Sequence, residues 1–339
     1  MEQALNERSM GLMNGHVPEY RDVIVAPAGL PLAHRSRDSA AARAGDKVTS
    51  QDLATAKPRR RYKANKAIGL TGREYQVLRI VNSYGWCTPE MVRLIANSHG
   101  ICWTEESGQT YKLLRRLQQL DLAISRKVGI GTKAIAYATT DRGMRHIRAD
   151  GDALLCDTNA FKDPASVHHF LGLNRIMLQF QSEFKTKYWL SDFEVRSDNS
   201  FIGQNGLAKD YDSVGELLLS TGTVRFAVEY ERSQQSATRY AKLNSILASE
   251  KYLHMVVFFL DDPRLRQVVM GHLKNLAGFV YYVDRSQFLQ KGGDVAVHYW
   301  NGGNLFQAPL RNVLKHASQK TVPDYVPVHQ LHLSSPWCK

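Results

Sequence analysis

Three acidic side chains near the middle of the chain have the types and spacing to act on a phosphodiester. Asp212 ends the run Lys209-Asp-Tyr-Asp212 and opens an apolar stretch through Leu219. A second apolar stretch, Val224 to Glu231, carries Glu229 and Glu231 at alternate positions. Successive strand side chains point to opposite faces, so these two glutamates share one face. Antiparallel pairing with the preceding strand would set Asp212 beside them. Oxygen donors of this kind suit Mg2+, which polarises a phosphodiester and activates water. Asp212 and Glu229 are the candidate metal ligands. A nuclease built here would use Asp212, Glu229 and Glu231, with Lys242 on the next helix as the balancing cation. The alternative is a solvated edge whose acids pair with Arg225, Arg232 or Arg239, and the spacing leaves both readings open.

A second set of residues suits DNA rather than catalysis. On the helix expected over about Glu106–Leu120, Gln109, Lys112, Arg116 and Gln119 recur every three or four residues. They lie opposite Leu113, Leu114, Leu117 and Leu120, with Arg115 beside them. Gln reads adenine edges in a major groove, while Arg and Lys read guanine or hold phosphate. Arg126 and Lys127 on the next strand, and Lys133 at the hairpin tip, are candidates for flanking phosphate. Arg59, Arg60 and Arg61 stand in the basic tract 57–66, read as an arm along the backbone.

The charge distribution supports this assignment. The 339 residues carry a formal charge of +12. Residues 57–148 hold eighteen Lys and Arg against six acids, an excess of twelve that accounts for the whole net charge. Polyphosphate is the usual partner of such a concentration. A membrane surface would want a basic amphipathic helix with an apolar face, and KPRRRYKANK is not one. Four cysteines without a CxxC pair, and scattered histidines, argue against a zinc site or a disulfide framework. No apolar run is long enough to span a bilayer, and no signal pattern opens the chain, so a cytoplasmic, membrane-free setting is expected.

Positioning these groups requires particular elements. Residues 1–66 read as a tail poor in apolar period. Thr71-x-x-Glu74 is a capping box that opens a first helix, and Thr88-Pro89 opens a second. The third bears the basic face. Leu122–Val128 and Ala134–Thr139 read as strands of a hairpin, and a short helix follows Thr140. Three helices and a hairpin give a winged helix-turn-helix over 67–150. A second domain is expected over 161–300: a helix Pro164–Lys187, strands Trp189–Arg196, Asp212–Leu219 and Val224–Glu231, a helix Gln234–Glu250, a strand His254–Leu260, a helix Pro263–Asn275 and a strand Phe279–Val283. That order makes an α/β domain with a mixed sheet, α+β overall. Residues 301–339 read as a low-order extension.

Helix, strand, Asp212, a strand bearing Glu229-x-Glu231 and a helix bearing Arg239-Tyr240 resemble the restriction-endonuclease-like fold. The whole layout resembles the replication-relaxation family of plasmid and integrative-element proteins. His169-x-x-x-x-Asn174 and Val228-Glu-Tyr-Glu-Arg-Ser233 are further matching pieces, and the likeness spans about residues 68–285. It implies a winged helix ahead of a nuclease-like domain and a part in plasmid replication, DNA relaxation or mobilisation. Two departures stand out. Glu231 occupies the place where nuclease members carry lysine, and Tyr211 that of the proline before the aspartate. The reversed charge favours a scaffold over a working nuclease. The expectation is a duplex-DNA-binding accessory protein whose C-terminal domain dimerises or contacts a relaxase or replication protein, with no cofactor. A Mg2+-dependent endonuclease and a dimeric transcriptional repressor are the alternatives.

Overall fold

The computed structural model describes residues 69–101, 107–128, 134–149, 158–202 and 206–327. The arm with Arg59, Arg60 and Arg61, the hairpin-tip Lys133 and residues 328–339 lie outside the described residues.

The N-terminal unit begins with α1 (Gly72–Ser83), whose capping box forms as its sequence predicts. The Glu74 amide donates to the Thr71 hydroxyl at 3.3 Å, and the Thr71 amide returns to the Glu74 carboxylate at 2.8 Å. Next comes α2 (Pro89–Ser98), with Thr88 as its cap and proline in its first turn. α3 (Ser107–Gln119) packs on both and buries Leu114 and Leu117. β1 (Ala123–Lys127) and β2 (Ile135–Thr139) form the antiparallel hairpin, and Cys87 bridges to Tyr137 as a short third strand. α4 (Asp141–Ala149) closes this winged helix.

A 3-10 turn at Thr158–Lys162 leads into α5 (Pro164–Glu183), which spans about 30 Å at 1.5 Å per residue. The remaining elements are β3 (Thr186–Ser191), α6 (Asp192–Ile202), β4 (Ser213–Leu219), β5 (Gly222–Glu231), α7 (Ala237–Ala248), β6 (Met255–Leu260), α8 (Pro263–His272), β7 (Val280–Asp284), α9 (Arg285–Lys291), β8 (Ala296–Asn301), β9 (Asn304–Pro309) and α10 (Leu310–Ala317). The seven strands lie side by side in chain order. β3, β4 and β5 form an antiparallel meander, β6 and β7 run parallel to β5, and β8 and β9 turn back antiparallel. Strands β5 and β6 are buried along almost their whole length because helices cover both sheet faces, and β6 reads as a continuous apolar run. Residues of α5, α9 and α10 pack on one face, and those of α7 and α8 on the other.

Three expectations need correction. The helix expected to reach Lys187 stops at Glu183, because Phe184 turns extended and β3 starts at Thr186. The strand expected over Trp189–Arg196 ends at Ser191, where α6 begins. Its start is a second capping box: the Ser191 amide donates to Glu194 at 2.7 Å, and the Glu194 amide to the Ser191 hydroxyl at 3.4 Å. The extension expected to be low in order from residue 301 instead carries β9 and α10. β9 pairs with β8 around Gly302 and Gly303, whose positive φ values of 55° and 84° let the chain reverse tightly. α10 buries Leu310, Leu314 and Ala317.

The two units share one apolar core, which runs from Val77 to Ala317. Asn174 on α5 crosses between them. Its amide donates to the carbonyls of Tyr84 at 3.2 Å and Trp86 at 3.0 Å. The Trp86 indole donates to Ser166 at 3.2 Å. A buried amide spanning the seam fixes the units against each other, since losing it would orphan two buried carbonyls.

Candidate functional site

The basic face of α3 is where the sequence puts it. Gln109, Lys112, Arg115, Arg116 and Gln119 are all exposed, while Thr110, Leu114 and Leu117 face inward. The Arg115 guanidinium lies 5.9 Å over the Tyr111 ring. Arg116 is tied through Nε to the Glu74 carboxylate at 2.9 Å, and its side chain keeps 53% of its surface exposed. Lys127 is exposed on β1.

Arg126 departs from expectation. Its guanidinium sits 5.6 Å over the Trp86 ring and donates to the Lys162 carbonyl at 3.3 Å. It therefore points into the seam between the units rather than toward a ligand. The cause is strand alternation: Arg126 and the exposed Lys127 are neighbours on β1 and must take opposite faces.

The acidic residues come together at the carboxyl end of β5, where open α/β sheets usually place ligands. Asp212, just ahead of β4, continues the β4–β5 register and so lies across from Glu229. One Asp212 oxygen accepts the Tyr230 amide at 2.7 Å, and the other stands 3.5 Å from His169 Nε2. The His169 ring stacks on Tyr230, with centroids 5.6 Å apart. Glu229 meets Lys209 Nζ at 2.5 Å, and Glu231 accepts from Gln235 at 3.2 Å.

Electrostatics follow from this geometry. Burial alone would raise the Asp212 carboxyl, but His169, Lys209 and the Tyr230 amide hold it below the ordinary 3.8. Burial works against charge on His169, yet Asp212 raises the imidazole above 6.5. Burial pushes Glu229 up to about 7; Lys209 opposes this, while Asp212 and Glu231 add to it. Burial also raises Glu231, against the bond from Gln235. Lys209 is raised overall, because Glu229 and Asp212 outweigh its burial. Asp192, at the start of α6, is pushed by burial to about 6, against its partner Arg196 at 2.9 Å.

The acids of this cluster already have partners within the protein. Both Asp212 oxygens are engaged, and a lysine ammonium meets Glu229 where a cation would bind. Among the described residues no group of three His, Cys, Asp or Glu side chains could hold a metal ion. Lys242, the expected balancing cation, is exposed on α7, and the lysine that meets Glu229 is Lys209. Sequence reasoning missed Lys209, His169 and Asp192 as members of this cluster. Lys209 carried a signal, standing three residues before Asp212, and His169 was singled out only as part of the His169-x-x-x-x-Asn174 match.

Three other acids of the second unit, Glu216, Asp261 and Asp262, pair with basic residues or cap a helix. Glu216, buried on β4, is held by Arg225 at 2.8 Å and Lys187 at 2.7 Å. Arg225 also donates to the carbonyls of Tyr252 and Pro323, which pins the C-terminal segment. Asp262 caps α8, and Asp261 pairs with Arg285 at 2.7 Å. No helix among the described residues is long and apolar enough to cross a membrane.

No family model and no curated protein sequence matches the chain. A crystal structure of Bacillus subtilis PadR in complex with operator DNA is similar over 39% of this chain and 78% of that one, with 14% identity and a TM-score of 0.21.

Proposed function

We propose that this protein binds duplex DNA through the exposed face of α3 and does not cut it. α3 enters the major groove, with Lys112, Arg115 and Arg116 supplying charge and Gln109 and Gln119 supplying base-edge contacts. Lys127 and the tract 57–66 add phosphate contacts on the flanks. The mixed-sheet unit serves as a scaffold that assembles a homodimer or docks a relaxase or replication protein. In this reading the protein is an accessory factor in the replication or mobilisation of a plasmid or integrative element, in the cytoplasm.

One observation carries the reading: five polar and basic side chains stand exposed on a single helix within the segment that holds all the excess positive charge. The scaffold part is supported by the carboxylate cluster, in which Lys209, His169 and a backbone amide answer the acids from within. A metal-dependent endonuclease would need those acids free for a cation.

Gel shift and nicking of supercoiled plasmid, with and without Mg2+ or Mn2+, test both halves. The expected result is a salt-sensitive shift, lost in Arg116→Glu, with no nicking under any condition. Nicking that requires metal and disappears in Glu229→Ala would overturn the scaffold assignment.

A further inference from the structure

Glu74 does more than cap α1. It is 1% exposed, and one oxygen takes both the amide and the hydroxyl of Thr71, at 2.8 and 3.0 Å. The other oxygen faces outward through the α1–α3 contact and meets Arg116 Nε at 2.9 Å. The capping box fixes the carboxylate first, and the carboxylate then fixes the arginine. Arg116 is long and, on an open helix face, would otherwise lose considerable rotamer freedom on binding. A guanidinium is planar, so a charged bond at Nε sets its plane and leaves its terminal nitrogens to a ligand. Those two donors match the paired acceptors O6 and N7 that guanine presents in the major groove.

We infer that Glu74 is a positioning residue for Arg116, which reads a guanine in the bound duplex. The inference rests on the DNA-binding reading above and adds specificity to it. Lys112 and Arg115 then supply sequence-independent attraction, while the Glu74–Arg116 pair discriminates between bases.

The test selects duplexes from a pool with a randomised core, using the wild-type protein, Arg116→Lys, Glu74→Gln and Glu74→Asp in parallel. Thermal unfolding of each variant is recorded alongside. The wild-type pool should show a guanine at one position. Arg116→Lys keeps the charge but loses the fork, and the guanine preference should fall roughly tenfold. Glu74→Gln removes the charge, and Glu74→Asp keeps it on a shorter arm. Both should lose the same preference while their binding to bulk plasmid DNA at low salt changes far less. A merely structural Glu74 would lower the melting temperature and leave the preference intact. That result, or a wild-type preference indifferent to Arg116→Lys, overturns the inference while sparing the DNA-binding reading. A wild-type protein that shifts no duplex at all overturns both.

Discussion

Lys209 and Glu229 meet ammonium to carboxylate at 2.5 Å, although twenty residues separate them in the chain. The contact exists because the β4–β5 hairpin folds the approach to Asp212 back over the end of β5. It gives Glu229, one of the acids that the sequence offers as a metal ligand, a partner within the protein. Removing one partner of a buried pair leaves an uncompensated charge, at a cost of about 3–5 kcal/mol. Lys209→Met should therefore destabilise the fold by an amount near that range at pH 8. The loss should shrink at pH 5, where Glu229, already raised to about 7, takes up a proton. Urea unfolding at the two pH values checks this, and equal losses at both would contradict it.

The His169–Asp212 pair has a defined pH window. His169 is raised above 6.5, so its contribution is complete below 6.5 and fades as pH climbs through the raised value. Asp212 is lowered below 3.8, so its contribution is present above 3.8 and is lost as pH falls through the lowered value. The stability gap between the wild type and His169→Asn should be widest between pH 3.8 and 6.5 and should narrow on the alkaline side. A denaturation series across that range measures it. A gap independent of pH would mean that no ion pair forms.

Gly172 tests whether the cluster depends on close packing. A Cβ there would lie 2.2 Å from Cε1 of Tyr230, the ring on which His169 stacks. Gly172→Ala must push Tyr230 aside, at about 1–3 kcal/mol for overpacking. The displaced ring should carry His169 away from Asp212, and its pKa should fall toward the ordinary value. Imidazole titration by NMR would follow this directly; an unshifted titration would show that the ring can move without disturbing the pair.

The seam and the DNA face should separate in mutants. Asn174→Ala orphans the buried carbonyls of Tyr84 and Trp86, with an expected loss of roughly 1–3 kcal/mol for each buried group left unpaired. Arg126→Ala removes the contact with Trp86 and the bond to Lys162. Both variants should melt earlier than the wild type, and Arg126→Ala should retain its duplex affinity under conditions where it is folded. A selective loss of binding in Arg126→Ala would return that residue to the DNA surface.

Local chemistry was the readable part of the sequence. The Thr71–Glu74 box, the Thr88-Pro89 start and the alternation that marks β4 and β5 all act over a few residues, and they form as read. Ser191-x-x-Glu194 was an equally good box, hidden because the apolar run Tyr188–Leu190 ahead of it suggested a continuing strand. The β8–β9 hairpin was legible in Asn301-Gly-Gly-Asn304 with flanking aromatics, and the prolines and histidines beyond it masked the pattern. The carboxylate cluster was legible only in part. Pairing register placed Asp212 near Glu229, but Lys209 and His169 arrive from a loop and from α5, and only tertiary packing brings them in. Arg126 failed for a similar reason: alternation says that it opposes Lys127, but only the position of Trp86 says which of the two faces the seam.

The central claim is that α3 presents the duplex-binding surface, and the salt dependence of affinity tests it most directly. Duplex binding by the wild type and by Lys112→Glu should be titrated at several salt concentrations. Losing one phosphate contact should weaken binding roughly tenfold or more at low salt and reduce the slope of log affinity against log salt by about one. Affinity and slope that match the wild type would show that the DNA, if bound, lies elsewhere on the molecule.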